Sequence, residues 1–345
     1  MARRDGVIRF IANLTLGFIF FSCTVSLGMS PSGIPRIDFF GFWFEKFQKK
    51  FSKQPTTKTT STIDESNRDS HIYDVLDWEI GNRSPGTKKL IVLIVLESLG
   101  FTGANEIDRA TLSNVNKMIN RLKVKNKRLA VKSLQAEKSI GSTLGAELRY
   151  LCNVKKEAEI QSYLEGSKHP KSGCLANKVK VNKGSTLYFH EGRRGFYRRQ
   201  WIMPAIGFER LSFQNESRTT LSKCLVKPFC GDDTDAFTKA LWSVEKWAQG
   251  QTGSELLFIT IMTIDTHAPY VGSQGVSYSY KNSVRLSLGK LEAFLAKLLE
   301  VKMLQDVVIG LIPDHPPPLG QASFCKLECQ SKNKTHPIYA YILKY

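Results

Sequence analysis

Three residues of this sequence have the chemistry to bind a divalent metal ion together. Glu97 follows the apolar run KKLIVLIVL, and the pair Asp314–His315 follows a second apolar run, DVVIGLIP. Two carboxylates and one imidazole form a donor set that suits zinc or manganese. We therefore predict one divalent metal ion, Zn or Mn, bound by Glu97, Asp314 and His315. Taken singly, each could equally be a polar residue at a turn.

Thr143 opens the amphipathic segment TLGAELRYLC. A threonine in this position commonly caps a helix. A metal ion with three protein ligands also has an open position, which a hydroxyl oxygen can fill. Coordination lowers the pKa of the hydroxyl group and turns it into a nucleophile at neutral pH. We predict that Thr143 is the catalytic nucleophile and a further metal ligand, two roles that are compatible with capping.

Two more histidines and a group of arginines complete the set of candidate site residues. His190 and His267 each follow an apolar run, and four arginines come soon after His190. The arginines are Arg193, Arg194, Arg198 and Arg199. Guanidinium groups bind phosphate oxygens and histidines transfer protons. These residues therefore indicate a site for a phosphate group.

The elements that must position these residues alternate along the chain. Apolar runs predict strands at 88–98, 126–134, 185–192, 255–267, 306–315 and 336–345. Amphipathic stretches predict helices at about 107–121, 143–152, 232–248 and 279–301. This alternation predicts an α/β fold, with helices on both faces of a mainly parallel central sheet. Such sheets bind ligands at the carboxyl ends of their strands, which is where the candidate residues stand.

Five short motifs, in this order, resemble the sulfatase-like branch of the alkaline phosphatase superfamily. They are VLESLG, GSTLGAEL, FHEGRRGFYRR, DTHAPY and PDHPPP, within residues 88–343. The chain is most similar to lipoteichoic acid synthases and phosphoglycerol transferases, with phosphoethanolamine transferases as more distant relatives. The Cys/Ser-x-Pro-x-Arg segment that true sulfatases need does not occur in the sequence. This argues against hydrolysis of sulfate esters.

The resemblance implies a role for each candidate residue. Thr143 is implied as the nucleophile, and it shares the metal with Glu97 and the Asp314–His315 pair. His190, Arg199 and His267 are implied to bind the substrate. Tyr197, two residues before Arg199, stands where the family usually has tryptophan.

The implied activity is transfer of a phospho-alcohol, phosphoglycerol or phosphoethanolamine, through a phospho-threonine intermediate. The donor would be an anionic phospholipid and the acceptor a cell-envelope glycan or lipid. Two alternatives stay open: a phosphoesterase of the same superfamily, and a catalytically silent member that serves in envelope polysaccharide assembly. The silent alternative rests on Pro313 and Pro316, which flank Asp314–His315 where the family usually has glycine.

The N-terminal region and the charge point to a membrane. The 345 residues carry a net charge of +18, which suits anionic partners. No nucleic-acid-binding motif is apparent, so we predict no nucleic-acid partner. Residues 1–30 begin with an arginine pair and continue as an apolar stretch, which predicts an uncleaved signal anchor; a buried core helix is the alternative.

We therefore expect a single-pass protein of the cytoplasmic (inner) membrane. An aromatic juxtamembrane segment and polar linker would occupy 31–71. A catalytic domain, 72–345, would lie on the periplasmic or extracellular side.

The cysteine pattern agrees with export. Of seven cysteines, Cys23 lies in the apolar stretch and six follow it. The close pairs Cys224/Cys230 and Cys325/Cys329 are natural disulfide candidates, which leaves Cys152 with Cys174. A zinc cluster is the alternative, although the sequence contains no CxxC pair.

Overall fold

The computed structural model describes most of the chain from residue 71 onwards. The described residues are 71–84, 86–100, 105–134, 143–166, 173–214, 231–267, 279–302, 304, 306–317 and 339–345. The predicted membrane helix lies outside them, as does the predicted linker apart from His71. Within these ranges, no helix combines the length and the apolar character that crossing a membrane requires.

Seven strands form one sheet in the described part of the chain. They are β1 (Lys89–Leu96), β2 (Ala130–Leu134), β3 (Ser185–His190), β4 (Arg210–Ser212), β5 (Leu256–Met262), β6 (Asp306–Pro313) and β7 (Ala340–Lys344). Their order across the sheet is β2-β7-β6-β1-β5-β3-β4. β1 is parallel to β5 and β6, and β3 is parallel to β4 and β5. β7 is antiparallel to both of its neighbours, β6 and β2.

The α/β fold predicted from the sequence is confirmed, with one difference. The sheet is mixed, because its β7–β2 edge is antiparallel, whereas the sequence predicts a mainly parallel sheet. The strand bounds also differ by a few residues, and β4 was not predicted. An apolar run shows that a strand is buried, but it does not show the direction in which the strand enters the sheet.

Helices cover both faces of the sheet. They are α1 (Ile72–Gly81), α2 (Asn105–Lys125), α3 (Thr143–Cys152), α4 (Glu157–Glu165), α5 (Leu175–Val181), α6 (Arg199–Ala205), α7 (Asp233–Ala248) and α8 (Tyr280–Glu300). The four predicted helices correspond to α2, α3, α7 and α8. The other four, α1, α4, α5 and α6, were not predicted; they have seven to ten residues each, so each offers at most about three turns of a helical period.

The central strand β1 separates two apolar cores. Leu90, Val92 and Ile94 pack with α2, α7 and α8 on one face of the sheet. Ile91 and Leu93 point to the other face, where they pack with α1, α3 and α5. Successive side chains of a strand point to opposite faces, so a strand covered on both sides must be apolar throughout. All eight residues of β1 are buried.

A disulfide joins Cys152 to Cys174, as predicted. Cys152 is the last residue of α3, and Cys174 directly precedes α5. The bond therefore connects the C-terminal end of α3, the helix that begins with Thr143, to the start of α5 on the same face of the sheet. The other two predicted pairs, Cys224/Cys230 and Cys325/Cys329, lie outside the described residues.

Candidate active site

The register of the two central strands sets the position of the predicted metal ligands. β1 and β6 are parallel neighbours, and Leu96 pairs with Pro313 at their carboxyl ends. The next residue of each strand is a carboxylate, Glu97 on one and Asp314 on the other. In-register parallel strands therefore place these two side chains next to each other at the edge of the sheet.

Glu97, Asp314 and His315 come together as the sequence predicts. His315 Nε2 lies 3.2 Å from Asp314 Oδ2 and 3.4 Å from Glu97 Oε1. One ligand atom from each of the three residues can be chosen so that all lie within 4.8 Å of one another. Both carboxylates are buried, with 2% of Glu97 and 0% of Asp314 exposed.

Thr143 contacts this cluster from the first turn of α3. Its Oγ1 lies 3.1 Å from His315 Nε2 and donates a hydrogen bond to Glu97 Oε2 at 3.4 Å. The side chain is buried. Residues far apart in the chain thus place one hydroxyl group, two carboxylates and one imidazole in mutual contact.

Backbone and hydroxyl groups orient the two carboxylates. The backbone N–H groups of Ser98 and His315 donate to Asp314 Oδ1 at 2.7 and 2.6 Å. Ser98 Oγ donates to Glu97 Oε1 at 2.8 Å. Ser98 adopts a φ of 53°, a left-handed conformation that is uncommon for serine and often found at functional sites. The sequence alone implies no role for Ser98, although it directly follows the predicted metal ligand Glu97.

The turn after β5 holds the backbone of Glu97 through two threonines. The N–H of Glu97 donates to Thr263 Oγ1 at 2.9 Å, and Thr266 Oγ1 donates to the carbonyl oxygen of Glu97. Asp233, at the start of α7, accepts hydrogen bonds from the backbone N–H groups of Ile264 and Asp265, at 2.7 and 3.3 Å. These contacts fix the turn that carries His267. In the sequence, this turn is distinguished only by the polar residues of the segment TIDTH, 263–267.

The charges of the cluster favour a cation. Burial and the nearby charge of Glu97 raise the pKa of Asp314 well above its usual value. Burial opposes protonation of His315, but the charge of Asp314 and a hydrogen bond with Glu97 raise the pKa of His315 to about 10. Two close, buried carboxylates repel each other unless positive charge lies between them. A divalent ion held between them would supply that charge.

His190 is the last residue of β3, and it is buried and neutral. Burial and the positive charge of Arg199 lower the pKa of His190 to about 3. Its Nδ1 lies 3.1 Å from the carbonyl oxygen of Met262, so Nδ1 carries the proton and Nε2 carries a lone pair. Nε2 has no hydrogen-bond partner among the described residues. The space beside it exists because residue 192 is glycine, since a Cβ there would overlap Nε2.

The four arginines after His190 have different environments. Arg193, Arg194 and Arg198 are exposed, whereas Arg199 is 1% exposed. Arg199 forms a salt bridge with Glu147 on α3, with 2.7 Å between Nη2 and Oε2. Of the four arginines predicted to bind phosphate, Arg199 is therefore the buried one, and its guanidinium group is already paired with a carboxylate. Glu147 belongs to the motif GSTLGAEL, but the sequence alone implies no role for it.

His267 lies on the turn after β5. Its backbone N–H donates to the carbonyl oxygen of Ile264 at 2.9 Å, and its side chain is half-buried. Burial raises the pKa of Glu97, but the charge of His267 and the hydrogen bonds of His315 and Ser98 outweigh that effect and lower it. His267 is thus within electrostatic reach of the predicted metal ligand Glu97.

Comparison with solved structures gives the fold a name. A protein of the alkaline phosphatase superfamily from Vibrio parahaemolyticus is similar over 79% of this chain and 67% of its own, with a TM-score of 0.53 and 14% identity. The chain has the alkaline phosphatase superfamily fold. Streptococcus pyogenes phosphoglycerol transferase GacH, in complex with sn-glycerol-1-phosphate, has a TM-score of 0.51 and 16% identity, over 79% of this chain and 72% of that one. The C-terminal periplasmic domain of EcEptC from Escherichia coli, in complex with Zn, also has a TM-score of 0.51, at 11% identity over 75% and 73%.

The sequence comparisons do not add to this result. No protein-family model matches the chain, and no curated protein matches it. At such low identities the similarity to the solved structures concerns the fold.

Two prolines distinguish this chain from the pattern usual in the alkaline phosphatase superfamily. Pro313 pairs with Leu96 as the last residue of β6, and its carbonyl oxygen accepts a hydrogen bond from Tyr150 at 3.0 Å. The carbonyl oxygen of Pro316 lies 2.6 Å from Nδ1 of His315. The prolines therefore do not separate Asp314 and His315 from Glu97, and they leave Nε2 of His315 directed at the cluster.

Proposed function

We propose that the protein is a metal-dependent phospho-alcohol transferase that works through a phospho-threonine intermediate on Thr143. The observation that carries this proposal is the contact of Thr143 Oγ1 with both His315 Nε2 and Glu97 Oε2, at 3.1 and 3.4 Å. The similarity of the fold to a phosphoglycerol transferase supports phosphoglycerol as the transferred group. Phosphoethanolamine is the other group that we consider.

The donor set suits a zinc or manganese ion. It consists of two buried carboxylates and one imidazole, with a hydroxyl group beside them, and its carboxylates repel each other without a cation. Glu97, Asp314 and His315 would hold the ion, with Thr143 as the fourth protein ligand. When bound, the ion supplies Lewis-acid chemistry that lowers the pKa of a hydroxyl group. The similarly folded EcEptC domain was solved with Zn.

The transfer would then take place in two half-reactions at Thr143. Thr143 Oγ1 forms a bond to the phosphorus of the donor while the bond from phosphorus to the lipid alcohol breaks. The lipid alcohol takes up a proton and leaves as diacylglycerol. In the second half-reaction, the oxygen of an acceptor hydroxyl forms a bond to the phosphorus while the bond from phosphorus to Thr143 Oγ1 breaks, and Thr143 takes up a proton as the acceptor loses one. Two half-reactions of this kind give ping-pong kinetics.

Three further residues would bind the substrate. Arg199 supplies a buried positive charge for the phosphate oxygens. Neutral His190 can accept a hydrogen bond from a substrate hydroxyl group through its free Nε2. His267, on the turn after β5, would contact the same substrate.

An anionic phospholipid donor and a cell-envelope glycan or lipid acceptor fit the charge of +18. The apolar stretch at the N-terminus fits a membrane anchor, with the catalytic domain outside the cytoplasmic membrane. The similarly folded EcEptC domain is periplasmic, which supports this location. We propose no nucleic-acid partner.

Mass spectrometry of the Thr143 peptide tests the proposal. The full chain, in zinc-supplemented vesicles of phosphatidylglycerol or phosphatidylethanolamine, should acquire an adduct whose mass identifies the donor group. Thr143→Ala should form no adduct and transfer nothing. Thr260→Val is the matched control, because Thr260 is also buried but lies within β5. A Thr143→Ala protein that modifies the acceptor at the wild-type rate would refute the mechanism.

The acceptor is tested by the same assay with and without added glycan. A transferase releases little free head group and labels the glycan. Release of the head group at an equal rate without glycan would instead identify a phosphoesterase. The absence of any adduct from metal-loaded protein would favour a catalytically silent role in envelope polysaccharide assembly.

A further inference from the structure

A buried network of three side chains fixes the guanidinium group of Arg199. Arg199 Nε donates to Glu147 Oε2 at 2.9 Å, and Nη2 lies 2.7 Å from the same oxygen. The other carboxylate oxygen, Oε1, accepts a hydrogen bond from the hydroxyl group of Tyr188 at 2.5 Å. Arg199 is 1% exposed, and Glu147 and Tyr188 are both 0% exposed. Each oxygen of Glu147 thus has its own partner.

The network leaves the terminal nitrogens of Arg199 with hydrogen-bonding capacity. Nη1 and Nη2 are buried, and neither makes a directed hydrogen bond within the described part of the chain. Buried N–H groups of this kind nearly always have a partner in the functional state. Glu147 Oε2 contacts Nε and Nη2, so the donors left for a ligand are the N–H groups of Nη1 and the second N–H of Nη2. An oxyanion is the ligand that a guanidinium group binds best.

The network is joined to both sides of the candidate site. Glu147 lies four residues after Thr143 on α3, which is about one helical turn. Tyr188 lies two residues before His190 on β3, and their ring centroids are 6.5 Å apart. The charge of Arg199 is one cause of the low pKa of His190. Glu147 therefore ties the guanidinium group to the helix of the nucleophile, while Tyr188 ties Glu147 to the strand of His190.

Aromatic rings complete the enclosure of Arg199. Its guanidinium carbon lies 5.3 Å from the ring centroid of Tyr197 and 5.7 Å from that of Phe196. Tyr197 and Arg198 have φ values of 52° and 56°, two consecutive left-handed residues directly before α6. This kink directs Arg198 to the surface and Arg199 into the interior. This conformation costs free energy at two successive non-glycine residues.

We propose that Glu147 is a positioning residue that orients Arg199 toward a phosphate group bound at Thr143, and that Tyr188 holds Glu147 in place. A buried salt bridge adds little net stability compared with apolar residues of similar size. The pair instead fixes the direction of a long and otherwise flexible side chain. This inference rests on the proposed function only in that the ligand of the site carries a phosphate group.

Binding of inorganic phosphate to the zinc-loaded full chain in detergent micelles tests the inference by calorimetry. Glu147→Gln should weaken phosphate binding roughly tenfold or more, because the guanidinium group of Arg199 is no longer held in a fixed orientation toward the phosphate. Tyr188→Phe, which removes only one hydroxyl group, should weaken it severalfold. The zinc affinity of both variants should stay at the wild-type level, which a general loss of structure would not allow.

A double-mutant cycle separates positioning from a direct contact. If Glu147 acts only through Arg199, Glu147→Gln should have no further effect on phosphate affinity in an Arg199→Ala background. Additive effects would overturn the inference, as would wild-type phosphate affinity in a folded Glu147→Gln protein. If Glu147→Gln does not fold, Tyr188→Phe decides: wild-type phosphate affinity in that variant overturns the inference.

The same measurements keep this inference distinct from the proposed function. A wild-type protein that binds phosphate but forms no adduct on Thr143 would refute the transferase mechanism. The double-mutant cycle of Glu147 and Arg199 would still test the role of Glu147 in that case. A zinc-loaded wild-type protein that binds no phosphate would overturn the role of Glu147 itself.

Discussion

Gly100 lies directly against the backbone of His315. The N–H of Gly100 donates to the carbonyl oxygen of His315 at 2.9 Å. A Cβ atom on Gly100 would lie 2.6 Å from the carbonyl carbon of His315 and 2.7 Å from the nitrogen of Pro316. Real Cβ atoms do not approach backbone atoms so closely. The segment after Glu97 and the segment after Asp314 can therefore meet only if residue 100 is glycine.

Gly100→Ala should displace the Asp314–His315 turn and weaken zinc binding. We expect a loss of about tenfold or more in zinc affinity, as when groups that support metal ligands are changed. Competition with a chromophoric chelator measures it. Gly289→Ala is the control, because nothing lies within 4 Å of a Cβ in that position on α8. That variant should keep its zinc affinity and gain about 0.5–1 kcal/mol in stability. Equal zinc affinities in both variants would contradict the prediction.

Zinc should stabilise the folded protein through Glu97 and Asp314. A ligand at one hundred times its dissociation constant contributes about 2.7 kcal/mol to the free energy of unfolding. The melting temperature of the wild-type protein should therefore rise with added zinc and fall again with a chelator. Glu97→Gln and Asp314→Asn should lose this response. Glu292→Gln, which removes a partner of Arg121 elsewhere on α8, should retain it. A zinc response that survives in both ligand variants would place the ion elsewhere.

The sequence contained enough information to locate the ends of the central strands, and hence the candidate ligands. Glu97 and Asp314 each follow a run of apolar residues, and such runs in an α/β protein end at the ligand-binding edge. That the two strands are direct neighbours, in register at Leu96 and Pro313, required the structure. Strand order depends on how distant segments pack, and no local pattern encodes it.

The supporting groups were harder to predict than the ligands. Glu147 meets Tyr188 and Arg199 across 41 and 52 positions of sequence. Asp233 reaches the turn after β5 across 31 positions. At the sequence level these residues look like ordinary members of amphipathic helices. Their roles follow from burial, because a charged group enclosed by the fold must find a partner.

Glu79 should make the stability of the protein depend on pH in acid. It is buried, with Lys89 Nζ at 2.5 Å and Lys344 as a second partner. Burial raises the pKa of Glu79, but the hydrogen bonds from the two lysines outweigh it, and the pKa lies below its ordinary value of 4.5. The stabilisation is therefore complete above pH 4.5 and is lost as the pH falls through the lowered pKa.

Glu79→Gln should cost about 2 kcal/mol at pH 7, since buried Lys89 loses its nearer carboxylate and keeps only Asp306, 3.1 Å from its Nζ. The difference from wild type should shrink as the pH falls below 4.5, the ordinary pKa of a glutamate. Urea unfolding between pH 7 and pH 3 measures both effects. Glu255→Gln removes an exposed partner of Arg83 and should cost less than about 1 kcal/mol. A constant difference between Glu79→Gln and wild type across this range would disprove the assignment.

Two threonines of the same strand region should respond in opposite directions to replacement by valine. Thr260 lies within β5 with 0% exposure, and its hydroxyl group has no hydrogen-bond partner in the described part of the chain. Valine has nearly the same shape and removes the unpaired group, so Thr260→Val should stabilise the protein by about 1 kcal/mol. Thr263 accepts a hydrogen bond from the N–H of Glu97 and donates one to the carbonyl oxygen of Val95. Thr263→Val should therefore destabilise the protein by about 1–3 kcal/mol and weaken zinc binding, because Glu97 loses its support. Thermal unfolding and zinc titration of the two variants provide the comparison, and a stabilising Thr263→Val would show that this hydroxyl group does not hold Glu97.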